Sequence, residues 1–241
     1  MTFSSNFLVA TLQPKIAISY EVNLMKLIET IQKSNANLIV APELCLTNFD
    51  YENFEESASF YFVALPKLLK LISTKILLLT MIVKEKNKFY NRAIVLHNHK
   101  VIHFQNKNKL FTLGDECKYF TSGKQEEVVP FSIDGIRYGI LICFELRFKE
   151  LWKALEGVDI ILIPAQWGKS RKQHLEVLSQ SLAIMNQTFV LLSNSSDDDM
   201  ASSSAIISPW GNVVMNDKLE VIEEKISLHE IKKVRRMIQM R

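Results

Sequence analysis

Short apolar runs alternate with stretches of helical periodicity along most of the chain. Runs of about four to eight mostly apolar residues, bounded by polar or proline-containing breaks, are typical of buried β-strands. The predicted strands are residues 7–12, 37–41, 76–84, 91–96, 101–104, 128–133, 137–143, 158–163, 189–193, 205–208 and 213–215. The polar residues 97–100 and the dipeptide Asp134-Gly135 predict β-hairpin turns between neighbouring strands.

Apolar residues spaced three and four positions apart predict helices between these strands. The predicted helices are residues 20–33, 60–73, 148–155, 174–186 and 224–241, the last a basic tail. In the first helix, Leu24, Leu27 and Ile31 fall on one face. Strands that alternate with helices and hairpins predict an α/β protein whose sheets are covered by helices.

The composition narrows the class of protein without identifying a function. The 241 residues are 48% hydrophobic and 23% charged, so we expect one globular domain over residues 1–241. A net charge of +3 gives no argument for nucleic acid or a membrane surface, and no apolar run is long enough to span a bilayer. Residues 1–15 lack signal-peptide features, and three sparse cysteines do not suggest disulfides, so we expect a cytoplasmic protein.

Three predicted strand ends carry residues with candidate chemistry. The first strand end is Pro42-Glu43, directly after an apolar run. Ligands gather at the carboxyl ends of strands in open α/β sheets. A carboxylate that is partly desolvated there can carry protons near neutral pH. Taken alone, the segment favours the simpler interpretation of Glu43 as a solvated acidic residue that begins a loop.

The second strand end is Cys143, where an apolar strand meets a predicted helix. A thiol at a helix N-terminus lies near free backbone N–H groups, which favour a thiolate and can also hold an oxyanion. The alternative is a small buried core cysteine. Cys45 and Cys117 lack such a junction, and we interpret both as structural.

The third strand end is the segment from Lys107 to Phe111, in which Lys107 and Lys109 follow a strand. A lysine in a pocket can stabilise negative charge that develops on oxygen. Two surface lysines in a loop are the alternative.

In this order along the chain, the three segments together resemble the motifs of the nitrilase superfamily of carbon–nitrogen hydrolases. That family's nucleophile motif is typically I-C-Y-D-L-R-F-P-E, and this chain has ICFELRFKE from Ile142 to Glu150. Its lysine motif is typically K-x-H-L-F, which aligns with KNKLF and places Lys107, not Lys109, at the catalytic lysine. The resemblance implies a four-layer α-β-β-α sandwich and a catalytic triad of Glu43, Lys107 and Cys143.

The resemblance also implies roles for residues outside the triad. Glu116 looks like the family's second glutamate, which orients the lysine and the substrate. Trp167, in the sequence PAQW, looks like the tryptophan that lines the pocket. The backbone N–H of Phe144 is implied as a second donor to the oxyanion.

Two segments depart from the family pattern. Where the family typically has R-A-x-E-N, this chain has LAIMN, with Leu182 and Met185 in place of charged residues. The usual G-H-S before a late hairpin is SSS here, with Ser202 in place of glycine. Both lie outside the triad and bear on subunit packing and substrate detail.

The resemblance implies hydrolysis of a small non-peptide C–N amide bond through a cysteine thioester, with release of ammonia and with no metal or organic cofactor. The lysine motif followed by Asp115-Glu116 is most similar to omega-amidases, which act on the terminal amide of short 2-oxo acids. N-carbamoyl amine hydrolases and nitrilases use the same triad, and a catalytically impaired binding protein is a further alternative.

The expected partners are a small-molecule amide and further copies of the chain, in a homodimer or larger homo-oligomer. If the substrate carries a distal carboxylate, Lys169 and Arg171 are the candidates to bind it, because they follow Trp167 in a predicted loop.

Overall fold

The computed structural model describes residues 7–240. Residues 1–6, part of the segment without signal-peptide features, and Arg241, the end of the predicted tail, lie outside the described residues. No helix within residues 7–240 is both long and apolar enough to cross a membrane.

The strands and helices alternate much as the apolar pattern predicts. The strands are β1 (Phe7–Leu12), β2 (Leu38–Val40), β3 (Ile76–Glu85), β4 (Lys88–His97), β5 (Lys100–Asn106), β6 (Phe131–Ile133), β7 (Ile136–Ile140), β8 (Ile160–Pro164), β9 (Phe189–Ser193), β10 (Ala205–Ile207), β11 (Val213–Met215) and β12 (Val221–Ile226). The α-helices are α1 (Tyr20–Lys33), α2 (Phe54–Ser59), α3 (Tyr61–Leu71), α4 (Glu116–Tyr119), α5 (Lys149–Ala154), α6 (Lys172–Asn186) and α7 (His229–Met237).

The strands of the described residues form two six-stranded mixed sheets. The first has the order β12-β1-β2-β3-β4-β5 and the second the order β11-β10-β9-β8-β7-β6. In each sheet three consecutive strands are parallel: β1, β2 and β3 in the first, and β7, β8 and β9 in the second. The parallel strands of each sheet therefore bring their carboxyl ends to one edge, where polar side chains can meet.

Strand residues of the first sheet alternate between two apolar cores. In β2, Leu38 and Val40 face a core shared with the second sheet, while Ile39 faces a core shared with α1 and α3. β3 alternates in the same way, since Leu78 faces the shared core and Leu77 the helices. Burial on both faces explains why these strands are continuous apolar runs. The predicted α-β-β-α sandwich is confirmed.

Several element boundaries agree with the sequence to the residue. β1, α1 and β9 have the predicted bounds, and α1 begins where the Ser19 hydroxyl accepts a hydrogen bond from the N–H of Val22. Both hairpin turns are present. Asp134 and Gly135 have φ values of 50° and 81°, which suits the two-residue turns that match strand twist.

The prediction of one helix over residues 224–241 was wrong at its start. Val221–Ile226 is a strand that pairs antiparallel with β1, and the helix is limited to His229–Met237. The segment contains two glutamates and a lysine, so its own pattern does not indicate a strand. Its conformation follows from the unpaired edge of β1, whose backbone groups need partners.

The polar, serine-rich segment 193–204, whose composition is typical of a surface loop, is mostly buried at its serines. Ser193, Ser195 and Ser204 are fully buried, and only the aspartates at the tip are exposed, as at Asp198. The hydroxyl of Ser193 donates to the carbonyl of Leu12 at 2.6 Å, and that of Ser204 also serves buried backbone groups. Serine suits this interior because short hydroxyls satisfy backbone groups that lie outside the sheets.

Lys172 anchors the end of the same loop. Its ammonium donates to the Ala201 carbonyl at 3.0 Å and to the Ser203 hydroxyl at 2.6 Å, and it pairs with Asp217 and Glu176. This cluster includes Ser203, which lies in the SSS segment. It holds the loop that contacts Trp167, because the N–H of Ala201 donates to the Trp167 carbonyl at 2.8 Å.

Ser202 occupies the glycine position of that segment with a φ of 55°. A non-glycine residue in this left-handed region costs about 1–3 kcal/mol. Glycine relieves the strain but adds entropy to the unfolded chain, about 0.5–1 kcal/mol. We therefore expect Ser202→Gly to raise the free energy of unfolding by about 1 kcal/mol, measured by urea denaturation. Ser202→Ala is the control, since it keeps the strain; an equal gain with alanine would refute the explanation.

Candidate active site

Three polar side chains converge at the carboxyl ends of strands from both sheets. Glu43 follows β2, Lys107 follows β5, and Cys143 follows β7 by three residues. Glu43 and Lys107 are 0% and 1% exposed, and Cys143 is 7% exposed. The strand before Cys143 ends at Ile140, not at the cysteine as predicted, so the thiol belongs to the turn that leaves the sheet.

Lys107 is the centre of a buried ionic network. Its ammonium donates to Glu43 Oε1 at 2.7 Å and to Glu116 Oε1 at 2.7 Å. Burial by itself would lower the pKa of this ammonium, but the nearby carboxylates of Glu43 and Glu116 raise it above its usual value. Lys107 is therefore a permanent cation at neutral pH.

Lys109 is not part of this buried network. It pairs at 3.1 Å with Glu150, and both side chains are partly exposed. The two lysines of the segment thus have different environments, and only Lys107 joins the buried carboxylates.

The two carboxylates are held by further donors. The amide of Asn91 donates to Glu43 Oε1 at 2.8 Å, and the N–H of Phe111 donates to Glu116 Oε2 at 3.1 Å. Burial raises the pKa of Glu116, although Lys107 opposes the effect. Glu43 Oε2 is buried and has no hydrogen-bond partner within residues 7–240. This oxygen is a free acceptor in the site.

The backbone turns sharply at Cys143. Its φ is 52°, and it is the first residue of a short 3₁₀ helix, Cys143–Arg147. The first N–H groups of a helix have no acceptor within the helix, so the N–H of Phe144 is available to an oxygen in the site. Burial and the charge of Glu43 raise the pKa of the Cys143 thiol well above its usual value. The resting sulfur is therefore protonated and needs a base before it can attack.

Cys143 opens into a cavity of about 20 Å³. Aromatic, amide and cationic side chains line it: Phe111, Phe144, Arg147, Gln166, Trp167 and Arg171. Trp167 is 3% exposed, and its backbone N–H donates to the amide oxygen of Asn194 at 2.7 Å.

Two arginines flank this cavity. The guanidinium of Arg147 lies over the Trp167 ring at 4.6 Å, and that of Arg171 over the Phe111 ring at 5.1 Å. Arg147 also donates to His174 Nδ1 at 3.1 Å. Neither guanidinium has a carboxylate partner in the part of the chain that the structure describes. Two unpaired guanidinium groups at one cavity form a site for an anion.

Lys169 and Arg171, the two residues predicted from the sequence to bind a distal carboxylate, have different positions. Arg171 lines the cavity, whereas Lys169 is exposed and does not line it. Sequence reasoning missed Arg147, whose signal was its place in the nucleophile motif ICFELRFKE. It is the last residue of the 3₁₀ helix that Cys143 begins.

No group of three or more His, Cys, Asp or Glu side chains among the described residues is arranged to hold a metal ion. His97, His99 and His103 lie in the β4–β5 hairpin and belong to no such group. His97 and His99 contact the backbone carbonyls of Lys75 and Leu69.

Comparison with known proteins identifies relatives for nearly the whole chain. A carbon-nitrogen hydrolase family profile matches residues 8–236. A 2-oxoglutaramate amidase of Bacillus subtilis (strain 168) is 30% identical over 220 residues, which are 86% of this chain and 84% of that protein.

Solved structures share the fold at low sequence identity. A CN-hydrolase superfamily protein of Xanthomonas campestris, with an arsenic adduct in its active site, superposes with a TM-score of 0.87 at 18% identity, covering 98% of this chain and 96% of that one. A Saccharomyces cerevisiae member of branch 10 of the nitrilase superfamily gives a TM-score of 0.85 at 20% identity, with the same coverage of both chains, 98% and 96%.

The buried network predicts a pH-dependent loss of stability when its cation is removed. Lys107→Met leaves Glu43 and Glu116 buried without compensation, which costs about 3–5 kcal/mol. Burial already raises the pKa of Glu116, and loss of Lys107 raises it further, so the folded variant holds protons that the unfolded chain has released. Its free energy of unfolding should therefore fall as pH rises from about 5 to about 8.

Lys109→Met is the matched control. Its partly exposed pair with Glu150 contributes less than about 1 kcal/mol, and its loss should leave the pH dependence of urea denaturation unchanged. Equal effects of the two substitutions, or a loss at Lys107 that does not change with pH, would contradict the role of Lys107 as the compensating charge.

Proposed function

Because the chain belongs to the carbon-nitrogen hydrolase family and is a hydrolase of amide bonds, we propose that it releases ammonia from a short amide that carries a distal carboxylate. The reaction passes through a thioester on Cys143, with Glu43 as the base and Lys107 as the oxyanion cation. The observation that carries this proposal is the small cavity in which the Cys143 thiol lies close to two unpaired arginines.

The first half of the reaction forms the thioester. Glu43 Oε2, which has no partner in the resting site, accepts the thiol proton as the sulfur attacks the amide carbon. The carbonyl oxygen becomes an oxyanion. Lys107 has three N–H donors, of which two bind Glu43 and Glu116, and the third is free for this oxygen. The N–H of Phe144 is the second donor.

Collapse of the tetrahedral intermediate breaks the C–N bond. The proton held by Glu43 goes to the departing nitrogen, which leaves as ammonia. Glu43 then takes a proton from water as the water oxygen attacks the thioester carbon. The C–S bond breaks, the sulfur recovers its proton from Glu43, and the carboxylic acid product leaves and loses its proton to water, which forms the carboxylate. Each of the base and oxyanion contributions lowers the barrier by roughly 2–4 kcal/mol.

Recognition of the far end of the substrate is separate from this chemistry. The carboxylates of Glu43 and Glu116 repel an anion, so a substrate carboxylate must lie away from them. Arg147 and Arg171 line the same cavity as the thiol, whereas Glu43 and Glu116 do not line it. The relative from Bacillus subtilis is named for 2-oxoglutaramate, an amide with a carboxylate at its far end, which supports the same class of substrate for this chain.

We expect Cys143→Ala to abolish amide hydrolysis while the fold stays intact. Removal of the thiol leaves no atom that can form the thioester. The measurement is ammonia release from 2-oxoglutaramate or succinamate, with circular dichroism to check folding. Cys117→Ala is the control and should keep full activity, because Cys117 is exposed and lies outside the cavity. Intact-mass spectrometry with a slow substrate should show the acyl adduct in the wild type; activity in Cys143→Ala would reject the thioester route.

We expect Arg147→Ala and Arg171→Ala to reduce kcat/KM for succinamate by about 10- to 100-fold each, since a hydrogen bond to a charged group contributes about 1.5–3 kcal/mol. The rate with butyramide, an uncharged amide of similar length, should change little. Lys169→Ala is the control and should leave both rates unchanged. A wild type that does not prefer succinamate would reject the carboxylate specificity and leave the Cys143 chemistry standing.

A further inference from the structure

Glu145 is a buried carboxylate that the proposed reaction does not use. It lies two residues after Cys143 in the short 3₁₀ helix and is 0% exposed. It makes no ion pair among the described residues. Burial raises its pKa to about 7, so the group is held in the interior at an energetic cost.

The carboxylate of Glu145 connects the two segments that carry the thiol and the ammonium. Its Oε2 accepts the N–H of Ile142 at 2.7 Å, on the residue just before Cys143. Its Oε1 accepts the N–H of Asn108 at 2.5 Å, on the residue just after Lys107. One side chain thus joins the end of a strand in one sheet to the end of a strand in the other.

The backbone at Cys143 needs such support. A φ of 52° is strained for a residue with a side chain and persists only when its surroundings hold it. The N–H of Glu145 donates to the Ile142 carbonyl at 3.0 Å, while its carboxylate accepts from the Ile142 N–H. These two bonds close a ring around the strained residue, and the bond to Asn108 fixes that ring relative to Lys107.

We propose that Glu145 is a positioning residue that holds the Cys143 sulfur and the Lys107 ammonium at the spacing required for attack and oxyanion binding. This inference rests on the proposed function of Cys143 and Lys107. The amide of Gln105 also donates to Glu145 Oε2 at 3.4 Å. Glu145 does not line the cavity, so it acts through its hydrogen bonds to these segments and not by contact with the substrate. It therefore affects the chemical step and not the binding of the distal carboxylate.

Glu145→Gln tests the proposal with almost no change in shape. A carboxylate accepts hydrogen bonds on both oxygens, whereas an amide accepts on one side only and meets an N–H with its own NH₂ on the other. One of the two backbone bonds is therefore lost. We expect kcat for succinamate to fall roughly 10- to 100-fold, as small displacements in an active site do, and KM to change less than about threefold.

Leu155→Ala is the matched control for a loss of stability alone. Leu155 is also fully buried and packs against Gly139 of β7, but it makes no link to Lys107. It should lower the melting temperature and leave kcat of the folded enzyme unchanged. Glu145→Asp replaces Glu145→Gln in the assay if the glutamine variant does not fold; its shorter stem reaches one N–H only and should also lower kcat.

The outcomes separate this inference from the function it rests on. If Cys143→Ala is inactive while the folded Glu145 variant keeps kcat within about twofold of wild type, Glu145 has no positioning role and the proposed chemistry stands. A loss that appears in KM and not in kcat also overturns the inference. If Cys143→Ala retains wild-type activity, the proposed function fails first, whatever the Glu145 variants show.

Discussion

The candidate site depends on one buried cation shared by two buried carboxylates. Lys107 lies between Glu43 and Glu116 at 2.7 Å from each, and water reaches none of the three groups to a significant extent. Removing such charges from water is expensive, and their mutual attraction offsets the cost only when the geometry is good. The network therefore ties the ends of strands together, and it keeps one carboxylate oxygen and one ammonium N–H available for chemistry.

The sandwich explains how a single site can combine a thiol, a carboxylate and a cation. Glu43 and Lys107 follow strands of one sheet and Cys143 follows a strand of the other, so the apolar core between the sheets sets their separation. The proposed specificity rests on a different set of residues. Arg147 and Arg171 lie on short helical segments beyond the strand ends, over aromatic rings.

The local pattern of apolar and polar residues was sufficient to predict those elements whose conformation depends mainly on their own residues. The bounds of β1, α1 and β9 followed from apolar periodicity and, for α1, from the hydroxyl of Ser19. The motif register distinguished Lys107 from Lys109, and the structure gives the two lysines different environments, one buried between carboxylates and one paired near the surface. The junction at Cys143 was also visible, because an apolar strand leads directly into it. The catalytic roles themselves remain proposals.

Other features depend on contacts between segments that are far apart in the chain. The strand Val221–Ile226 forms because it pairs with the free edge of β1, more than 200 positions earlier in the chain. Its own apolar pattern does not predict a strand. The serines of residues 193–204 are buried because the carbonyl of Leu12 and the loop backbone need donors there. Arg147 became a candidate anion ligand only once Trp167 and Arg171 were placed around the same cavity. Sequence alone determined most of the elements and the candidate reacting groups. Tertiary structure decided burial, pairing and pKa shifts, because those depend on which distant side chains exclude water from each group.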